Sequence, residues 1–271
     1  MIKDITIGQF FPGNSPLHKL DARTKIILTL VFLVFIFVCK NFWSLGLLVV
    51  FAIVSYLVSH LSPKLILKSF KPLLPIVLLT TLLQLYYIQK GNVLFEWKFV
   101  TITDTGIYTA IFIAVRIFTL LLISSLLTYT TSPTDLTDAI EKLLSPLKVF
   151  KVDVHTFAMM MTIALRFIPT LIDEIDRIMS AQKARGADFE NGNIIKRIKA
   201  LIPIFVPLFI SAFKRAIELA DAMSCRCYTG GETRTRLRQM KITYRDYVAY
   251  AVTALVCAGM VALNIIFEQL I

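Results

Sequence analysis

The stretch IYTAIFIAVRIFTLLLISSLLTY, residues 107–129, carries a single charge, Arg116, in 23 positions. A helix needs about 20 apolar residues to cross about 30 Å of hydrocarbon, so this stretch is long enough to span a bilayer. It has company. Phe42 to Leu61, Pro72 to Ile88 and Tyr247 to Phe267 read the same way, and Ile26 to Cys39 is a shorter apolar run flanked by Lys25 and Lys40. Both lysines are expected to snorkel outward and help that short helix to cross, with a re-entrant hairpin as the other reading of the first two runs. Pro75 lies inside the third run, where neighbouring helices are expected to satisfy the freed backbone groups.

Composition agrees with insertion. Of 271 residues 56% are hydrophobic and 17% charged, Phe alone accounts for 20, and mean hydropathy is +0.72, outside the range of soluble domains. The expected class is therefore an all-α membrane protein with about five transmembrane helices. The opening residues, polar up to Lys25 apart from short apolar clusters, lack the pattern of a signal peptide, so no cleavage is expected.

The net charge of +11 would suggest nucleic acid in a soluble protein. Here its distribution is a topology signal. Five spans from a cytoplasmic amino terminus leave residues 1–25, 62–71 and 130–246 inside, with 4, 3 and 18 Lys plus Arg, against only Lys40, Lys90 and Lys98 outside. That asymmetry orients the chain. The expected organisation is a cytoplasmic N-terminal segment (1–25), transmembrane helices 1–4 (26–129), a cytoplasmic coupling domain (130–246) and a C-terminal transmembrane helix (247–271). No nucleic-acid partner is expected; Arg234, Arg236, Arg238, Lys241 and Arg245 suit contact with anionic membrane lipids.

Within 130–246, Val154 to Ile172 and Ala200 to Phe213 are also apolar, the latter with Pro203 and Pro207. Two further spans would carry Arg177, Lys183, Arg185, Lys196, Arg197 and Lys199 outside and treble the external basic count. The favoured reading is two long helices against or beneath the membrane, each with a charged, amphipathic second half: after Pro169, Leu171, Ile175, Ile178 and Met179 recur at helical spacing.

These helices end alike, in Ala184-Arg185-Gly186 and in Cys225-Arg226-Cys227, each an Arg between two small residues. Capping accounts for this, because glycine suits the left-handed stop and a cation suits the helix C-terminus. Docking accounts for it equally, because small neighbours allow close approach while a guanidinium reaches into a partner's groove. No nucleotide loop of the form GxxxxGK[ST], zinc helix of the form HExxH or convergent catalytic set occurs, so neither enzymatic activity nor a cofactor is expected. His18, His60 and His155 are scattered and read as structural or interfacial, and Cys225 and Cys227 have no second pair to complete a metal site. Arg116 carries two readings: a structural bond to carbonyls of the bundle, or a place in the translocation path of a stand-alone secondary transporter or channel.

Nearly the whole chain resembles the transmembrane coupling subunits, or T components, of energy-coupling factor (ECF) transporters. The resemblance rests on Pro12-Gly13-Asn14-Ser15, Leu20-Asp21-Ala22-Arg23-Thr24-Lys25 and Arg166-Phe167-Ile168-Pro169 leading to Asp173-Glu174. It continues through Ala184-Arg185-Gly186, Glu218, Ala220-Asp221-Ala222-Met223, the Arg226 motif and Thr233-Arg234-Thr235-Arg236-Leu237. It implies a bacterial or archaeal cell membrane and a non-catalytic subunit of an ATP-driven importer of vitamins or other micronutrients. It also implies two ABC-type ATPase subunits docked on Arg185 and Arg226, and a membrane-embedded, exchangeable substrate-binding S component. Cys225 and Cys227 stand where the family commonly has Ala and Gly, so the second helix exit is expected to be less clearly defined than the first.

Overall fold

The computed structural model describes residues 10–88, 93–97, 100–150, 153–187, 194–228 and 240–267. The chain divides into two compact units, one drawn from Gln9–Leu136 with Gln239–Ile271, the other from Thr137–Arg238.

The first unit contains α1 (Ala22–Val38), α2 (Phe42–Val58), α3 (Pro63–Phe70), α4 (Leu74–Tyr87), a hairpin of β1 (Val93–Trp97) and β2 (Val100–Thr103), and α5 (Asp104–Thr130). α9 (Tyr244–Ile266) completes the unit, and α6 (Pro133–Leu143) belongs to the other unit from Thr137 onward. α5 packs on α1, α2 and α4, and α9 closes against α1 and α2. Ile36, Leu45, Leu48, Phe112 and Met260 are fully enclosed where these helices meet. Leu30, Val34, Phe37, Leu57, Leu78 and Leu83 point outward, as expected where lipid is the solvent and helix packing is driven by van der Waals fit and polar contacts.

Local chemistry sets the helix starts. Asp21, the N-cap of α1, accepts from the Arg23 backbone N–H at 3.0 Å and pairs with the Arg23 guanidinium at 2.7 Å. Asp246 is completely buried and serves two helices at once, accepting from the Thr243 N–H at 2.7 Å and from the Asp21 N–H at 2.9 Å. One carboxylate thus ties the start of α9 to the start of α1. At the other end, the Asn41 amide donates to Phe267 O at 2.8 Å and the Asn264 amide donates to Val38 O at 3.1 Å.

Several expectations need correcting. Lys25 does not snorkel: it is 7% exposed, and its ammonium donates to Thr130 O at 2.8 Å and His18 O at 3.3 Å. Pro75 needs no help from neighbouring helices, because it falls in the first turn of α4, where no backbone donor is required. The third run is entered through α3, bent by 58° from α4. Between the third and fourth runs lies an antiparallel hairpin that pairs Val93 with Thr103 and Trp97 with Val100. The first two runs form an α-hairpin of 17-residue helices, each about 26 Å long, slightly less than the hydrocarbon thickness.

In the second unit, η1 (Ser145–Phe150) leads to α7 (Val154–Ala184) and α8 (Ile194–Cys225). α7 runs through Pro169 and α8 through Pro203 and Pro207 without a break. By length and composition, α5, α7, α8 and α9 are each able to cross a membrane, and the bent α3–α4 pair makes five. The all-α membrane class stands, with the hairpin as its one β element among the described residues.

Candidate functional site

The site is the pair of helix ends on the second unit. α7 and α8 run antiparallel: the Arg215 guanidinium binds the Glu174 carboxylate at 2.9 Å, and the Tyr228 hydroxyl donates to Met159 Sδ at 2.7 Å. The end of α8 therefore lies beside the first turns of α7. The end of α7 is about 26 residues further along, roughly 40 Å away at 1.5 Å per residue. The two Arg motifs stand at opposite ends of the helix pair, and the fold keeps them apart.

Their backbone geometry is the same. At the first end Gly186 takes φ +88°, its N–H donates to Lys183 O at 3.0 Å, and the Ala187 N–H donates to Gln182 O at 3.0 Å. That pair of bonds is the Schellman stop, with Arg185 at the cap. At the second end Cys227 takes φ +57°, its N–H donates to Ser224 O at 2.9 Å, and the Tyr228 N–H donates to Met223 O at 3.0 Å. Arg226 occupies the same cap position as Arg185.

The expectation that the second exit is less clearly defined than the first is thus corrected: the turn forms in full, although a side chain in the left-handed region costs roughly 1 kcal/mol that glycine avoids. The pattern of Gly and small residues could locate the first stop. Nothing in the residue type of Cys227 announces a positive φ.

Ala184, Arg185, Gly186, Cys225, Arg226 and Cys227 are all exposed, and among the described residues neither guanidinium has a hydrogen-bond or ion-pair partner. Two guanidiniums on rigid helix ends, with small side chains on either side, can enter a groove and bind carboxylates or carbonyls there. The helices that carry them bury little within the unit. α8 exposes Phe205, Phe209, Ile210, Phe213 and Ile217, and only Ile204 among its described apolar residues is fully buried.

Arg116 is elsewhere, on α5 in the first unit. Its Nη2 donates to Cys39 O at 2.6 Å, at the turn between α1 and α2, and its guanidinium lies 4.7 Å from the Phe112 ring centroid. This is the geometry of a structural clamp on the α1–α2 turn. His155 contacts the Glu141 carboxylate at 3.1 Å, and His18 bridges Phe11 O and Ser15 Oγ, at 3.0 and 2.7 Å. Among the described residues no group of three His, Cys, Asp or Glu could hold a metal ion.

Comparison with known proteins places these features in a family. The family model described as CbiQ, cobalt transport protein, matches residues 13–237. The chain is 51% identical to the energy-coupling factor transporter transmembrane protein EcfT of Ruminiclostridium cellulolyticum, over 98% of this chain and 100% of that protein. It is 50% identical to EcfT of Clostridium kluyveri, over 97% and 98%, and 44% identical to EcfT of Bacillus subtilis, over 91% and 93%.

Proposed function

The chain belongs to the CbiQ family, in which its relatives are ECF transporter transmembrane proteins, and on that premise we propose that it is the subunit coupling two ATPases to a substrate-binding S component. It is a multi-pass membrane protein and a transmembrane component of an ECF transporter. In the proposed arrangement residues 130–246 are a cytoplasmic coupling domain, Arg185 and Arg226 seat in grooves of two ABC-type ATPases, and the amino terminus is cytoplasmic. ATP is hydrolysed by those partners, and the cargo, a vitamin or other micronutrient, is held by the S component.

The single observation that carries this reading is the pair of identical Schellman ends, each presenting an unpartnered arginine, at opposite ends of one antiparallel helix pair. Ends roughly 40 Å apart suit two separate grooves. When two ATPases close, the ends are drawn together or apart, and α7 and α8 carry that motion along their length as rigid levers. The exposed apolar faces of α7 and α8 supply the surface for the S component.

The test is affinity purification of the tagged chain from its native membranes, with identification of everything retained. Two ATPases and at least one small membrane protein are expected with the natural sequence. Arg185→Glu with Arg226→Glu is expected to lose the ATPases while the chain stays in the membrane; undiminished ATPase retention and transport would overturn the reading.

A further inference from the structure

The first unit contains a cavity of about 440 Å³ that the coupling role does not use. Its walls come from the start of α1 (Leu28, Phe32), the end of α2 (Phe51, Val54), the end of α5 (Ile123, Leu126) and the start of α9 (Val248, Val252). Chain direction puts all four of these ends on one membrane face. In the orientation set by the basic residues, that face is the cytoplasmic leaflet.

The walls are almost wholly apolar, while Lys25, Thr130, Tyr244 and Arg245 also line the cavity. Arg245 is exposed, and among the described residues no carboxylate forms an ion pair with it. Lys25 is committed to the scaffold: its ammonium bonds the Thr130 and His18 carbonyls and lies in the field of the Asp21, Asp135 and Asp246 carboxylates. Arg245 is therefore the cation at the cavity mouth that is open to a ligand.

An apolar slot between transmembrane helices with an unpaired guanidinium beside it selects a molecule that is apolar along its length and anionic at one end. We propose that this cavity is the binding site of one anionic phospholipid of that leaflet, its acyl chain between α1, α2, α5 and α9 and its phosphate on Arg245. Arginine suits the phosphate because its planar donors can bind two oxygens at once. Tyr244, 78% exposed, is the amphipathic ring expected at the headgroup level. A neutral lipid would fill the slot but leave Arg245 without its anion. The occupant braces the two helix ends at which the coupling segment begins and closes, Thr130 at the end of α5 and Tyr244 at the start of α9.

The inference does not depend on ATPase docking, and its test reads lipid alone. The full-length chain, purified in mild detergent, is titrated with dioleoylphosphatidylglycerol or dioleoylphosphatidylcholine and examined by native mass spectrometry. One phosphatidylglycerol should be retained about fivefold or more tightly than phosphatidylcholine. Val252→Trp, which places a large ring in the slot, should abolish that tight binding. Arg245→Gln, an exposed change that leaves the fold alone, should keep a lipid bound but bring the two lipids to parity. Equal retention of the two lipids by the natural sequence would overturn the proposal, as would an Arg245→Gln chain with undiminished preference or a folded Val252→Trp chain that binds as before.

Discussion

The two units treat their polar groups in opposite ways. In the first, Lys25, Asp246, Asn41 and Arg116 point inward and each bonds the backbone of another segment, so that α1, α2, α5 and α9 are fastened at both ends. In the second, Arg185 and Arg226 point outward from exposed helix ends, and the long helices behind them bury few side chains. Polar groups in hydrocarbon must be satisfied internally, which makes the first unit a closed scaffold. A helix pair with large exposed apolar faces and free cations is incomplete until a partner covers it, and α7 and α8 have the character of such a part.

The largest expected effect breaks the second half of this contrast. Removing one partner of a desolvated interfacial charge pair costs about 2 to 5 kcal/mol, so Arg185→Glu and Arg226→Glu should each weaken ATPase binding about 30-fold or more. Because the ends are far apart, their effects on binding free energy should add, which titration of single and double variants with purified ATPases would check. Next comes the scaffold. Asp246→Ala strips the acceptor from two N–H groups at the α1 and α9 starts and should cost about 3 kcal/mol, seen as an early thermal transition in detergent.

Arg116→Met removes a hydrogen bond and a ring contact worth together about 2 kcal/mol, lowering stability without abolishing transport in the assembled complex. Loss of transport with stability intact would instead revive a translocation role for Arg116. At the helix ends, Cys227→Gly should stabilise the α8 stop by about 1 kcal/mol and Gly186→Ala should destabilise the α7 stop by a similar amount, read from amide exchange at Tyr228 and Ala187. The smallest effect is one of pH. Partial burial lowers the His18 pKa below 6.5, so the unfolded chain binds the proton more readily and stability should fall as pH drops below about 6.5. His18→Gln should flatten that slope in a pH series of melting curves.

Much of the scaffold was legible because its determinants are local. Runs of apolar residues declare helices to the bilayer, and Asp21 declares an N-cap by its type and position. Two features were not legible for a common reason: they are fixed by partners distant in sequence. Lys25 turns inward because the Thr130 carbonyl, 105 residues later, is there to receive it. Asp246 is held by the Asp21 N–H, 225 residues earlier, although Thr243-Tyr244-Arg245-Asp246 has the spacing of a reciprocal cap that marks the other half of its role. The β1–β2 hairpin hid in a mixed stretch whose alternation is too short to stand out.

At the site, the paired arginines were visible as a repeated local pattern, and their role rested on family resemblance. The antiparallel register that separates them was invisible, because it depends on Glu174 meeting Arg215 and Met159 meeting Tyr228. Under the proposed coupling role, that separation makes two similar motifs two docking points.

The central claim is that each end seats in its own ATPase, and site-specific photo-crosslinking in native membranes tests it most directly. A photoreactive residue replaces Ala184 in one variant and Ser224 in another, both exposed and next to the motifs. The account predicts that each position, separately, crosslinks in high yield to an ABC-type ATPase. Crosslinks from either position to lipid or to other membrane proteins alone, with ATPases present in the same membranes, would contradict it.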